Sequence, residues 1–268
     1  MEWNQASPTG TANSRNVPVA QPPEEEGLLS LCGESPCAAP TRTIPGDISR
    51  PVPAAPFEPA APAGQTAAAA ETPTAALRLL HAAADEGAVQ VLIGTRPAAS
   101  GLSFGNAAGP FRLPCGPHTI TLRPAGWGAG PAARETVDLA AGEAATLAIV
   151  RARGGLALVR VDDLPQGRAP RDCGCLRAVN LVRGAPALDV VLSGGPGIFS
   201  GVGCGQATPW RRARPKTYEC CAAQAGPDGP QPLASFCVDA RAGAAATVYL
   251  LGDWAGGRSI QARVVVDG

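Results

Sequence analysis

The chain has 268 residues, and its 22 Lys and Arg are balanced by 22 Asp and Glu. That balance argues against a nucleic acid or an anionic membrane surface as partner, since either needs a basic patch. No run of about 18 apolar residues occurs, so no membrane span is expected.

Residues 1–74 form one compositional block holding 13 of the 28 prolines, with runs such as "RPVPAAPFEPAAPAGQTAAAA". Branched and aromatic side chains are too sparse there to offset the entropy of ordering, so the block reads as a disordered, partly polyproline-like tail. One stretch inside it, Glu24 to Cys37, gathers a small apolar cluster with Cys32 and Cys37. It reads as solvated tail or, alternatively, as a docking or cross-linked motif. The start, "MEWNQASPTGTANSR", lacks the basic and apolar regions of a secretory signal.

After the tail the chain writes one line twice. "LRLLHAAADEGAVQVLIG" (Leu77 to Gly94) is followed 99 residues on by "LRAVNLVRGAPALDVVLS" (Leu176 to Ser193). Val89-Gln90-Val91 aligns with Leu188-Asp189-Val190, and Gly105-Asn106-Ala107 with Gly205-Gln206-Ala207. Phe111 aligns with Trp210, and "VDLAAGEAATLAIV" (Val137 to Val150) with "VDARAGAAATVYLL" (Val238 to Leu251). Collinear matches of this kind predict two similar units. Within each, apolar residues alternate with period two, and Gly, Pro and Asp punctuate the runs. The predicted fold class is all-β: two tandem immunoglobulin-like or transthyretin-like β-sandwich domains after a disordered N-terminal tail. The boundaries read as tail 1–74, first sandwich 75–163, linker and start of the second unit 164–175, and a second, Cys-rich sandwich 176–268. Asp162-Asp163 then falls at a linker start and reads as a solvated strand end.

Candidate chemistry is thin. Gly101-Leu102-Ser103-Phe104-Gly105 fits the G-x-S-x-G elbow of hydrolases, but "NAAGPFRLPCG" follows instead of a helix. The matching stretch of the second unit, Gly201-Val202-Gly203-Cys204-Gly205, has no Ser, so the glycines read as turn positions. The histidines, His81 and His118, align with Asn180 and Tyr218, which points to side chains bonding nearby loops. No catalytic residue, metal ligand or cofactor is therefore expected. The cysteines stand apart. Cys115 lies in the first unit, and Cys173, Cys175, Cys204, Cys220, Cys221 and Cys237 lie in the second. Disulfides, buried free thiols and a zinc site all remain open, because six cysteines allow fifteen pairings. Cys220 and Cys221 are neighbours on a predicted strand, so their side chains point to opposite faces.

Leu80-His81-Ala82, Asp85 and Ala88-Val89-Gln90-Val91, with Ala185-Pro186-Ala187-Leu188-Asp189-Val190 in the second unit, resemble a bacterial family, the domain of unknown function 4397. The resemblance spans about 77–268 and implies tandem sandwiches, often in secreted or surface proteins, with no known activity. The resulting expectation is a non-enzymatic structural or interaction protein of the bacterial cell envelope or spore surface. A protein or envelope polymer is the expected partner, with disulfide cross-linking to other envelope proteins. A cytoplasmic location and a thiol-based metal-binding or redox role are the alternatives.

Overall fold

The computed structural model describes residues 73–124, 132–164, 167–226, 229–255 and 258–267. The expected disordered tail, with Cys32 and Cys37, lies outside the described residues apart from Pro73 and Thr74.

Eight strands come from the first half: β1 (Thr74–His81), β2 (Val89–Ile93), β3 (Arg96–Leu102), β4 (Ala107–Pro114), β5 (Gly116–Pro124), β6 (Ala133–Leu139), β7 (Ala144–Ala152) and β8 (Gly155–Asp162). Eight come from the second: β9 (Gly174–Arg183), β10 (Leu188–Leu192), β11 (Gly197–Val202), β12 (Arg211–Ala213), β13 (Lys216–Gln224), β14 (Gln231–Ala240), β15 (Ala245–Asp253) and β16 (Arg258–Asp267). The described residues contain no helix.

The strands form four sheets, ordered β4-β1-β7-β8, β3-β2-β5-β6, β12-β9-β15-β16 and β11-β10-β13-β14. The first two face each other as one sandwich and the last two as another, so the described residues are all-β and form two sandwiches. Each sandwich holds one parallel pair, β1 with β7 and β9 with β15. The remaining ladders are antiparallel.

Alternation explains the cores. Leu77, Leu79, Val89, Val91, Ile120, Leu122, Leu147 and Ile149 fill the first sandwich. Leu176, Ala178, Leu188, Val190, Cys220, Ala222, Val248 and Leu250 fill the second. The turn glycines recur with the same geometry: Gly105 and Gly205 have φ of 78° and 77°, the left-handed region that only Gly enters without cost.

Strands β1, β7, β9 and β15 depart from simple alternation, being buried on both faces. Their second faces meet across the sandwiches. Leu80, Ala148 and Val161 from the first half pack with Val179, Leu181, Tyr249 and Leu251 from the second. This third apolar cluster makes the two sheets that hold the parallel pairs the inner layers of a four-layer stack. A strand covered on both faces loses its polar-out signal, which is why Ala144 to Val150 reads in sequence as apolar but for Thr146.

Candidate functional site

The most elaborate chemistry in the molecule lies in the seam between the sandwiches. In the parallel ladders Arg78 stands beside Thr146, and Arg177 beside Thr247. All four side chains point into the seam, and all four residues are buried. Each arginine pairs with an aspartate of the opposite sandwich. Arg78 Nη1 donates to Asp267 Oδ2 at 3.0 Å, and its Nη2 contacts the other carboxylate oxygen. Arg177 Nη2 donates to Asp163 Oδ1 at 2.6 Å. Asp163 follows β8 and Asp267 ends β16, so the two ion pairs are reciprocal.

Asp163 is the hub. Thr146 Oγ1 donates to its Oδ2 at 2.6 Å, Tyr249 Oη lies 3.5 Å from Oδ1, and Arg78 lies 3.6 Å away. Arg177 also donates to the Asp162 carbonyl at 2.7 Å and to Thr247 Oγ1 at 3.1 Å. Burial pushes the Asp163 carboxyl above its ordinary range, against the Thr146 hydrogen bond and the two guanidiniums, which favour the anion. At Arg78 burial works against the charge, but the Asp267 hydrogen bond and the Asp267 and Asp163 charges outweigh it and raise the pKa. Burial also drives the Tyr249 hydroxyl upward, keeping it neutral.

The expectation of a solvated strand end at Asp162-Asp163 is thus corrected. Asp162 is exposed, whereas the Asp163 side chain is 5% exposed. The second sandwich packs over Asp163, and its Arg177 compensates the charge. A carboxylate before a Pro- and Gly-containing stretch carries no sequence mark of that partner.

A second correction concerns Trp210. The ladders place Leu77 opposite Phe111 and Leu176 opposite Arg211. Phe111 therefore corresponds to Arg211, and Trp210 to Pro110. A one-residue slip turns a side chain to the other face of a sheet. Phe111 packs against the first core, while the Trp210 ring covers the Arg177 guanidinium at 4.3 Å.

The remaining candidates resolve as local bonds. Nε2 of His81 donates to the Gly87 carbonyl at 3.0 Å, while Nδ1 is buried without a hydrogen-bond partner. Burial lowers the His81 pKa. Its counterpart Asn180 donates to the Val202 carbonyl and accepts from the Val182 N–H. His118 bonds the Pro114 carbonyl at 2.7 Å, and Tyr218 donates to the Arg214 carbonyl at 3.1 Å, each reaching back four residues. Ser103 sits in the β3–β4 turn, its hydroxyl 3.4 Å from the Gly101 carbonyl.

Cys220 lies in the second core and Cys221 on the opposite face of β13. Burial, with Cys237 and Cys221 nearby, pushes the Cys220 thiol up to about 11. Cys115, Cys204 and Cys237 are exposed thiols, while Cys173 and Cys175 are buried at the entry to β9. No two described cysteines lie at disulfide distance, so disulfide pairing among the six finds no support. Sulfurs on alternate faces of strands stay apart even where their positions are close in sequence. Among the described residues no group of three or more His, Cys, Asp or Glu is placed to hold a metal ion. No described helix is long and apolar enough to cross a membrane.

This geometry defines a two-sandwich β-protein with a polar seam. Residues 75–191, from β1 into β10, match the family model "Domain of unknown function (DUF4397)". No curated protein matches the chain. Among solved structures it is similar to "Structure of the Streptococcal ancillary pilin", at 15% identity and a TM-score of 0.18. That match covers 63% of this chain, and this chain spans 59% of the length of the pilin chain.

Proposed function

We propose that the chain is a non-enzymatic structural or interaction protein in which two copies of the DUF4397 sandwich act as one rigid body. The carrying observation is the reciprocal pairing of Arg78 with Asp267 and Arg177 with Asp163. The buried charged groups of the seam are occupied in holding sandwich to sandwich, and the outer sheets and edge strands remain for partners. In this reading Ser103 is a turn residue and His81 a loop anchor. The location proposed is the bacterial cell envelope or spore surface, where a protein or envelope polymer is the partner.

Fractionation of cells and spores with an antibody to the chain, followed by non-reducing peptide mapping, tests this. Recovery with envelope or spore-coat material supports the reading. Recovery only in vegetative cytosol, or an esterase activity abolished by Ser103→Ala, overturns it. The thiol-based alternative rests on the grouping of Cys220, Cys221 and Cys237 along β13 and β14. It requires a low-pKa thiol or bound metal in protein purified without chelators, and the raised Cys220 pKa runs against the first.

A further inference from the structure

The seam has two ends that ought to match, and they do not. At one end Arg177 is roofed by Trp210, which packs with Leu164, Ala169, Cys175 and Ala245. At the other end Arg78 occupies the corresponding place, where the β1–β4 ladder shifts register between Leu77 and Leu79 and Pro110 lies nearby. Proline has no aromatic ring to lay over a guanidinium. Where the roof would be there is a cleft of about 490 Å³, lined among others by Arg78, Pro110, Ala144, Asp163, Leu164 and the β16 segment Arg263 to Asp267, so it reaches along the seam to the edge of the Trp210 cluster. Its volume falls in the range of ligand sites. The Arg78 side chain is 8% exposed, so a buried cation helps line the cleft.

Two edge strands border this cleft. β4 ends the order β4-β1-β7-β8 and β16 ends β12-β9-β15-β16, so each offers backbone groups on its outer side. Val266 of β16 is an exposed large hydrophobic residue, 39% accessible. An edge strand beside a pocket is the arrangement that binds extended peptides, main chain to main chain with a side chain in the pocket.

We propose that this cleft binds an extended segment of a partner protein, pairing along an edge strand and placing an aromatic side chain over Arg78. The occupant's chemistry is read from the molecule's own second end, where an indole covers the corresponding arginine. Attraction between a guanidinium and a ring face strengthens as water is excluded, and Arg78 is buried, nearly as much as Arg177. The proposal deepens the interaction reading, and fractionation of cells is independent of its outcome.

The test is fluorescence anisotropy on the full chain with two labelled peptides, acetyl-Thr-Val-Trp-Val-Thr-amide and the same peptide with Ala for Trp. Binding of the Trp peptide at least about tenfold tighter than the Ala peptide supports the proposal. Pro110→Trp supplies the missing roof and should abolish that binding. Ala144→Phe fills the cleft from another strand and should weaken it if Pro110→Trp does not fold. Equal binding of both peptides, binding by neither, or unchanged binding in a folded Pro110→Trp or Ala144→Phe protein overturns it. Binding that emerges only in the Trp3→Ala, Phe57→Ala double variant also overturns it, because the chain's own aromatic residues would then occupy the cleft.

Discussion

Replacing Asp163 with Ala should be the most damaging single change in the seam. The carboxylate receives Arg177 at 2.6 Å and Thr146 at 2.6 Å, with Arg78 at 3.6 Å and Tyr249 at 3.5 Å. Its removal leaves Arg177, itself 5% exposed at the side chain, with only neutral acceptors: the Asp162 carbonyl and Thr247 Oγ1. Breaking a buried pair from one side costs about 3–5 kcal/mol. For a folded region of this size that corresponds to a fall of roughly 10 °C in Tm. Urea denaturation followed by circular dichroism, with Arg177→Met and the double variant closing the cycle, measures it. The double variant should recover part of the loss, because removing both partners strands neither charge. An Asp163→Ala cost below about 1 kcal/mol, or strict additivity with Arg177→Met, would refute the hub assignment.

Other consequences can be checked alongside. Burial lowers the His81 pKa below its unfolded value, so the unfolded chain takes up the proton first as pH drops. Stability from His81 is then present above about pH 6.5 and lost as pH falls through the folded pKa, by at most about 1.4 kcal/mol per pH unit. His81→Asn should flatten that slope in denaturation curves from pH 7.5 to 5. Tyr249, fully buried in the seam, should cost about 3–5 kcal/mol on change to Ala, whereas Tyr249→Phe should cost about 1 kcal/mol or less in the same assay. Cys115, Cys204 and Cys237 should react with an aromatic disulfide reagent at neutral pH well before Cys220, which is buried with its pKa near 11. Timed labelling with mass spectrometry reads the order. Gly205→Ala forces a side chain into φ of 77° with open space around it, so the loss should be about 1–2 kcal/mol from backbone strain alone.

Which parts of this were legible in the sequence follows from what each side chain has to satisfy. Val89, Val91, Leu188 and Val190 face one core each, so their alternation announces β2 and β10. Gly105 and Gly205 recur because a turn demands positive φ. The seam was not legible, because β1 and β9 bury both faces and their alternation vanishes. Arg78 and Arg177 hold the same second place in the two repeated lines, but nothing local says that each carboxylate partner comes from the other sandwich. Aromatic identity matches Trp210 to Phe111, but register matches it to Pro110, and register is set by the ladder to β9. The cysteines suggested bridges by number, yet strand placement keeps the described sulfurs apart.

The double burial of β1 and β9 also bears on how the chain comes to be folded. A lone first sandwich would present Leu80, Ala148 and Val161 to water, together with Arg78 lacking Asp267. Neither half is a finished product until the other arrives, so the two should melt in a single transition rather than two. A chain emerging from the ribosome carries an adhesive, half-charged flank until β16 is in place. Truncation anywhere in β16 removes Asp267 and exposes that flank, so the whole assembly waits on this one strand.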